Sequence, residues 1–231
     1  MSAYVTQVKA LFHSHANPTA AGPMAAYMRD QFAFLGMQSA LIGQLNRQAV
    51  AEWGLPALSE LDAILRELWD EPERVFQYFA LGLLNRSLPG MPPGWSSTLE
   101  YLVTHKSWWD TVDTIAISLV GPYFKRFPAE HLATLPDWRA SEDIWLRRVA
   151  ILFQNNYKQA TDFTLLKDII LENLGSREFF INKAIGWSLR TYSRVNADGV
   201  RAFVANTPLH PLSKREALKW LENHPSAAPK P

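Results

Sequence analysis

The chain has 231 residues, of which 48% are hydrophobic and 19% are charged, and its formal net charge is +1. This composition is typical of a globular chain with a sizeable core and excludes disorder over most of the length. Because there is no cysteine, disulfides, thiolate zinc sites, iron–sulfur clusters and a cysteine nucleophile are excluded. No apolar run has the length of a membrane-spanning helix, so we expect a cytoplasmic protein without a membrane partner.

The hydrophobic pattern predicts helices almost throughout, because apolar residues recur at three- and four-residue spacing and no strand-like alternation is sustained. In chain order, the predicted helices are 2–14, 19–33, 40–52, 57–70, 73–87, 96–104, 108–126, 129–137, 142–156, 162–173, 177–194, 197–206 and 214–223. Residues 87–94 form a predicted loop, given their proline and glycine content. Residues 225–231 are predicted to be disordered, which leaves residues 1–224 as a single all-α domain.

A repeat becomes visible when Arg74, Asp113, Arg148 and Lys183 are aligned, at separations of 39, 35 and 35 residues. Each of these positions is expected near the start of a long helix that has an aromatic residue in its first turn and is followed by a shorter helix. Helix pairs of this length predict HEAT-like repeats stacked into a curved α-solenoid with a concave face. An irregular helical bundle is the alternative.

The four aligned positions are expected in a row on one face of the solenoid, and this row is basic except for Asp113. A basic row suits the phosphate backbone of nucleic acid. A carboxylate within it lowers the affinity for a polyanion, which indicates either a chemical role or a structural ion pair with a neighbouring arginine. Trp109 precedes Asp113 by four residues, so both side chains are expected on one helix face.

A second pattern combines basic side chains with a tryptophan. Lys183, Trp187, Arg190 and Arg194 follow spacings of 4, 3 and 4 residues, and we call this set the basic stripe. Phosphate attraction together with stacking on an aromatic ring is typical of nucleic-acid binding. A solvated stripe with the indole lying flat across it is the alternative. The charge distribution permits a polyanion partner, because residues 139–231 hold 14 basic and 9 acidic side chains, a net charge of +5.

Several blocks resemble the AlkD-like DNA alkylation repair glycosylases. The most specific are Lys-Ser-Trp-Trp-Asp at 106–110 and Lys-Ala-Ile-Gly-Trp at 183–187, and the segment 212–217 is similar to the C-terminal motif of that family. The resemblance covers nearly the whole chain in order. It implies HEAT-like repeats and a DNA glycosylase that removes cationic alkylpurines, such as 7-methylguanine and 3-methyladenine, from duplex DNA without base flipping.

The resemblance also implies roles for individual residues. The catalytic carboxylate corresponds to Asp113, and Trp109 and Trp187 correspond to the tryptophans that flank the sugar of the lesion. From the resemblance and the basic stripe together, the expected DNA-binding residues are Tyr27, Gln38, Arg148, Lys183, Arg190 and Arg194.

One carboxylate suffices for such a reaction, although glycoside hydrolysis usually employs two. A purine alkylated on a ring nitrogen is already cationic and leaves as a neutral base, so no general acid is required. Asp113 would stabilise the oxocarbenium-like sugar and orient or deprotonate the attacking water.

Two other classes of protein stay open from the sequence. A catalytically silent HEAT-like module would bind bent or damaged DNA and has no need of Asp113. A protein-binding solenoid would carry apolar or acidic patches in place of the basic stripe.

We expect no cofactor and no metal, since His13 and His15 point to different sides of a helix end without a third ligand. The expected partner is duplex DNA containing alkylated purines, bound by a monomer.

Overall fold

The computed structural model describes residues 2–224, and over this range the protein is helical, with a single isolated bridge between Ala33 and Glu73 as its extended pairing. The all-α prediction is therefore confirmed. The curvature of a solenoid and its concave face stay predictions, and the predicted disorder of 225–231 lies outside the described residues.

The chain divides into two compact units, the first ending at Thr98 and the second beginning at Leu99. The helices of the first unit are α1 (Ala3–His13), α2 (Pro18–Tyr27), α3 (Ser39–Trp53), α4 (Leu58–Asp70) and α5 (Arg74–Ser87). Helix α6 (Ser96–Thr104) spans the boundary between the two units. The single domain proposed from the sequence stays a prediction.

The second unit holds the remaining helices and most of the predicted site. They are α7 (Trp109–Thr114), α8 (Gly121–Arg126), α9 (Pro128–Ala140), α10 (Ile144–Leu152), α11 (Phe163–Glu172), α12 (Phe179–Tyr192), α13 (Ala197–Asn206) and α14 (Pro211–Glu222). A π-helical segment, Ile115–Val120, joins α7 to α8, so the predicted helix 108–126 is continuous but changes its winding. Short 3₁₀ turns lie at Leu88–Gly90 and Lys158–Ala160.

Helix packing in the second unit follows the chain in pairs. Helix α10 packs against both α7 and α12, and α12 packs extensively against α14. Helices α9 and α11 each pack against α10, and α13 packs against α12 and α14. Helices α7, α10, α12 and α14 thus pack one against the next, while α9, α11 and α13 lie beside them, which is consistent with an arrangement of helical repeats.

Side-chain hydrogen bonds cap three helix starts in the second unit. Asp143 accepts a hydrogen bond from Trp145 N at the start of α10, Asp162 accepts from Leu165 N at α11, and Asn196 accepts from Gly199 N at α13. Each cap satisfies a backbone N–H group that has no partner within its helix.

Some predicted boundaries are wrong, for identifiable reasons. Helix α2 ends at Tyr27 and not at residue 33, because Arg29 and Asp30 have φ values of 57° and 55°, which a right-handed helix excludes. Helix α10 ends at Leu152, four residues before the predicted end. Helix α14 begins earlier than predicted, at Pro211, since proline is favoured in the first turn.

Candidate active site

Asp113, Arg148 and Lys183 occupy the same position in three helices of the second unit. Each is the fifth residue of its helix, in α7, α10 and α12 respectively. Because α10 packs against both α7 and α12, the three residues lie on neighbouring helices. The predicted alignment is confirmed for these three residues.

The alignment is wrong for Arg74. This residue is the first of α5 and not the fifth, and the aromatic residue of its block, Trp69, lies near the end of α4. The Arg74 side chain is fully buried in the first unit, where its guanidinium lies 3.8 Å from the centroid of the Phe32 ring. A buried guanidinium cannot reach a phosphate, so Arg74 is not part of a basic row.

Arg148 binds the candidate catalytic carboxylate of Asp113 through two nitrogens of its guanidinium group. Arg148 Nε donates to Asp113 Oδ1 at 2.7 Å, and Nη2 donates to Oδ2 at 2.9 Å. The remaining nitrogen, Nη1, donates to the backbone carbonyl of Phe180 on α12. This bidentate geometry is the strongest form of a charged hydrogen bond and fixes the plane of the carboxylate.

The two partners of this ion pair differ in exposure. The Arg148 side chain is 4% exposed, whereas that of Asp113 is 17% exposed, so the Asp113 side chain stays partly accessible to solvent. Each carboxylate oxygen can accept more than one hydrogen bond, and Asp113 therefore has further capacity for a water molecule or a positively charged group. The structural ion pair that the sequence left as an alternative is present, and it coexists with an accessible acid.

Opposing influences act on the pKa of Asp113. Burial raises the pKa above the ordinary aspartate range, while the hydrogen bonds and charge of Arg148 lower it and the nearby charge of Asp110 raises it further. The balance leaves the pKa raised. A raised pKa makes the carboxylate a better proton acceptor than an exposed aspartate.

The first turns of the three helices meet in an aromatic cluster that sequence reasoning did not identify. Trp108 packs edge-on against Phe180 with ring centroids 5.1 Å apart, and Trp145 lies 4.9 Å from Phe180. Trp108 and Trp145 are themselves 5.9 Å apart. The aromatic residue that recurs early in each block was the signal, and its physical role is to pack α7, α10 and α12 together beside the ion pair.

The two candidate tryptophans lie on the helices that flank α10. Trp109 is the first residue of α7, one turn before Asp113, and Trp187 lies one turn after Lys183 on α12. Both side chains are partly exposed. Residues four apart share a helix face, so each indole lies on the same face as the aligned residue of its own helix.

Two of the three cations in the basic stripe are already paired with a carboxylate. Lys183 Nζ lies 2.8 Å from Glu216 Oε1, and Arg190 Nη1 donates to Glu216 Oε2 at 2.6 Å. Arg194 lies two residues beyond the end of α12, is exposed, and lines a cavity of about 330 Å³ together with Lys158 and other residues. Sequence reasoning missed Glu216, because a carboxylate on another helix leaves no mark in the spacing of α12.

Tyr27 and Gln38 belong to the first unit. Tyr27 ends α2 with 75% of its surface exposed, and Gln38 is the exposed residue that precedes α3. Both line an open cavity of about 550 Å³ whose wall also includes Met24, Phe34 and Tyr78. An exposed tyrosine beside an amide is compatible with the predicted DNA contact, which stays a prediction.

Two other kinds of feature, a metal site and a membrane span, are absent from residues 2–224. No group of three or more histidine, aspartate or glutamate side chains is arranged to hold a metal ion in this part of the chain. None of the helices described here is both long enough and apolar enough to cross a membrane.

Comparison with known proteins agrees with this picture. The model of a family described as DNA alkylation repair enzyme matches residues 8–221. Among solved structures, a predicted DNA alkylation repair enzyme from Enterococcus faecalis is similar to this chain, with 34% sequence identity and a TM-score of 0.80. The similarity covers 89% of this chain and 96% of the other. No curated protein matches the chain.

Proposed function

Since the chain belongs to the DNA alkylation repair enzyme family, we propose that it is a DNA glycosylase that hydrolyses the N-glycosidic bond of cationic alkylpurines in duplex DNA. Its substrates include 7-methylguanine and 3-methyladenine. The observation that carries this proposal is that Arg148 fixes the Asp113 carboxylate while the Asp113 side chain stays partly exposed.

The chemistry requires one carboxylate. When the bond between C1′ and the base breaks, its electron pair goes to the base nitrogen, and the cationic purine leaves as a neutral molecule. Positive charge then develops on the sugar, where the Asp113 carboxylate stabilises it. Water attacks C1′, and Asp113 accepts its proton before passing it to solvent.

The tryptophans complete the site. Trp109 and Trp187 present the negative faces of their π-systems to the cationic sugar, which is worth up to about 2 kcal/mol where water is excluded. Because these groups act on the sugar, the base itself needs no enclosing pocket. We therefore propose that the lesion is excised without base flipping.

DNA binding is assigned mainly to the basic stripe, with Tyr27 and Gln38 of the first unit as further contacts. Arg148 was expected to contact DNA as well, but its side chain is buried and its donors already bind Asp113 and the Phe180 carbonyl. We assign to Arg148 the positioning of Asp113, and its contact with DNA stays a prediction from the resemblance.

Replacement of Asp113 by asparagine tests the reaction. The Asp113→Asn variant is expected to lose nearly all release of 7-methylguanine from methylated duplex DNA, because the amide neither offsets the charge of the sugar nor accepts a proton. Its affinity for the same duplex should stay within a few-fold of wild type. Liquid chromatography of the released base measures the first quantity, and fluorescence anisotropy of labelled DNA the second.

Asp110→Asn is the matched control, since Asp110 lies on the same helix and carries the same charge. A single-carboxylate mechanism predicts that this variant retains excision. Loss of excision in both variants would instead indicate a paired-acid mechanism, and retention in both would exclude a catalytic role for Asp113.

A catalytically silent DNA-binding module is the second candidate. The observation in its favour is that both oxygens of Asp113 are engaged by Arg148, as in a purely structural ion pair. This alternative predicts that the wild-type chain binds methylated duplex DNA but releases no base.

A further inference from the structure

Glu216 is a largely buried carboxylate that faces two cations of the basic stripe. Its side chain is 10% exposed, whereas those of Lys183 and Arg190 are 38% and 27% exposed. One oxygen of Glu216 binds the lysine ammonium and the other accepts from the arginine. Lys183 and Arg190, which are both partly exposed, thus share the largely buried carboxylate of Glu216.

These two cations lie on either side of a candidate catalytic indole. Lys183 precedes Trp187 by four residues and Arg190 follows it by three, so all three lie on one face of α12. Glu216 therefore offsets the positive charge of the two cations that flank Trp187 on α12. Arg194, in contrast, makes no ion pair with any residue between 2 and 224.

The packing of α14 against α12 fixes the position of the Glu216 carboxylate. The two helices approach so closely at Gly186 that a Cβ atom there would lie 2.5 Å from Glu216 Cβ and 2.9 Å from the Ser213 carbonyl oxygen. Ser213 Oγ donates to the carbonyl of Asn182 at 2.8 Å. The hydrogen bond from Lys183 holds the pKa of Glu216 below its ordinary range, so the group stays ionised.

We propose that Glu216 weakens the binding of undamaged DNA by occupying Lys183 and Arg190 in the way that a phosphate would. This inference rests on the proposed function, because it concerns the stripe assigned to DNA binding. The three groups together carry a net charge of +1 in place of the +2 of the cations alone. A phosphate that approaches them competes with a carboxylate already in place, so each cation contributes less to affinity than an unpaired one. Weak contact with ordinary DNA suits a protein that must move along it to find lesions.

The test compares Glu216→Gln with Glu222→Gln, an equal charge change at an exposed position of the same helix. The affinity for an unmodified duplex is measured by fluorescence anisotropy over a series of salt concentrations. Glu216→Gln is expected to bind several-fold more tightly at low salt, with a slope of log K against log salt that is steeper by about one. Glu222→Gln should match wild type. A purely structural role for Glu216 would lower the Tm but leave the slope unchanged, and equal slopes for both variants would overturn the inference.

A second comparison does not require a variant at the buried position. In the otherwise wild-type chain, the double substitution Lys183→Gln/Arg190→Gln is expected to reduce the salt slope by about 0.9, as for the loss of a single unpaired cation, because Glu216 already offsets one of the two charges. A reduction of about 1.8, as for two unpaired cations, would overturn the inference. If the wild-type protein binds DNA and excises bases but the variants do not show the expected differences in salt slope, the inference alone fails. If the wild type shows no salt-dependent binding of duplex DNA, the proposed function fails with it.

Discussion

Asp113 and Arg148 belong to different helices, and Phe180, whose carbonyl also binds Arg148, belongs to a third. The guanidinium therefore joins α7, α10 and α12 while it orients the carboxylate. Removal of one partner from a buried ion pair costs about 3–5 kcal/mol, because the other charge stays without compensation. At the scale of single residues, the stability of this region and the proposed catalysis depend on the same three hydrogen bonds.

The pH dependence of base release tests this coupling. In the proposed mechanism Asp113 must be ionised, and its raised pKa predicts that activity falls with decreasing pH at a higher pH than for an ordinary aspartate, whose pKa is about 3.9. Arg148→Lys keeps the charge but loses the bidentate geometry that favours the ionised form, so the acidic limb should move to still higher pH. Single-turnover rates of 7-methylguanine release across the acid range measure the limb.

Arg139→Lys serves as the control for that experiment, since Arg139 forms a bidentate pair with Glu172 away from α7. Its pH profile should coincide with that of wild type. Identical profiles for Arg148→Lys and wild type would exclude a positioning role for Arg148.

At the scale of helices, the site depends on how closely neighbouring elements approach. Gly186 allows α14 to contact α12, and Gly121 allows the start of α8 to contact the end of α10, where the hydroxyl of Tyr157 also donates to the Gly121 carbonyl. The π-helical segment lies between Asp113 and Gly121 and joins the site to this second contact. Close backbone approach of this kind requires glycine because any side chain would fill the gap.

The Gly186→Ala variant tests the contact between α12 and α14. The added methyl group meets Glu216 Cβ and the Ser213 carbonyl, so the free energy of unfolding should fall by about 1–3 kcal/mol despite the higher helix propensity of alanine. Gly22→Ala in α2 is the matched control, because nothing lies within 4 Å of a Cβ atom there. That variant should be stabilised by up to about 1 kcal/mol. Urea unfolding measures both, and equal effects would contradict the described packing.

At the scale of the whole molecule, the net charge of +1 is too small to attract DNA by itself. Binding must come from local clusters of positive charge, and residues 139–231 carry the excess of basic side chains. The affinity for any duplex should therefore fall steeply with salt although the protein is nearly neutral.

Arg194→Gln tests this local origin of binding. Loss of one phosphate contact should reduce the slope of log K against log salt by about 0.9. Lys167→Gln makes the same change of net charge on α11, where the lysine lies over the ring of Phe163, and should leave the slope unaltered. Electrophoretic mobility shifts at several salt concentrations measure both slopes. An equal effect of the two substitutions would show that overall charge, and not the stripe, determines binding.

The sequence by itself determined the helices and the register of the second unit. Apolar periodicity and capping residues act over a few positions, so they predict where most helices lie. A constant spacing of 35 residues places Asp113, Arg148 and Lys183 at equal positions of α7, α10 and α12. The alignment failed for Arg74, because residues Glu71 to Glu73 connect α4 to α5 and do not form the first turn of a helix.

Only the tertiary structure decided which side chains became partners. The spacing made Arg148 and Lys183 look equivalent, yet the structure buries Arg148 against Asp113 and pairs Lys183 with Glu216. The aromatic cluster of Trp108, Trp145 and Phe180 likewise joins residues from three helices. Periodicity fixes the face of a helix on which a residue lies, whereas its partner depends on which helix packs against that face, at what distance and with how much solvent excluded.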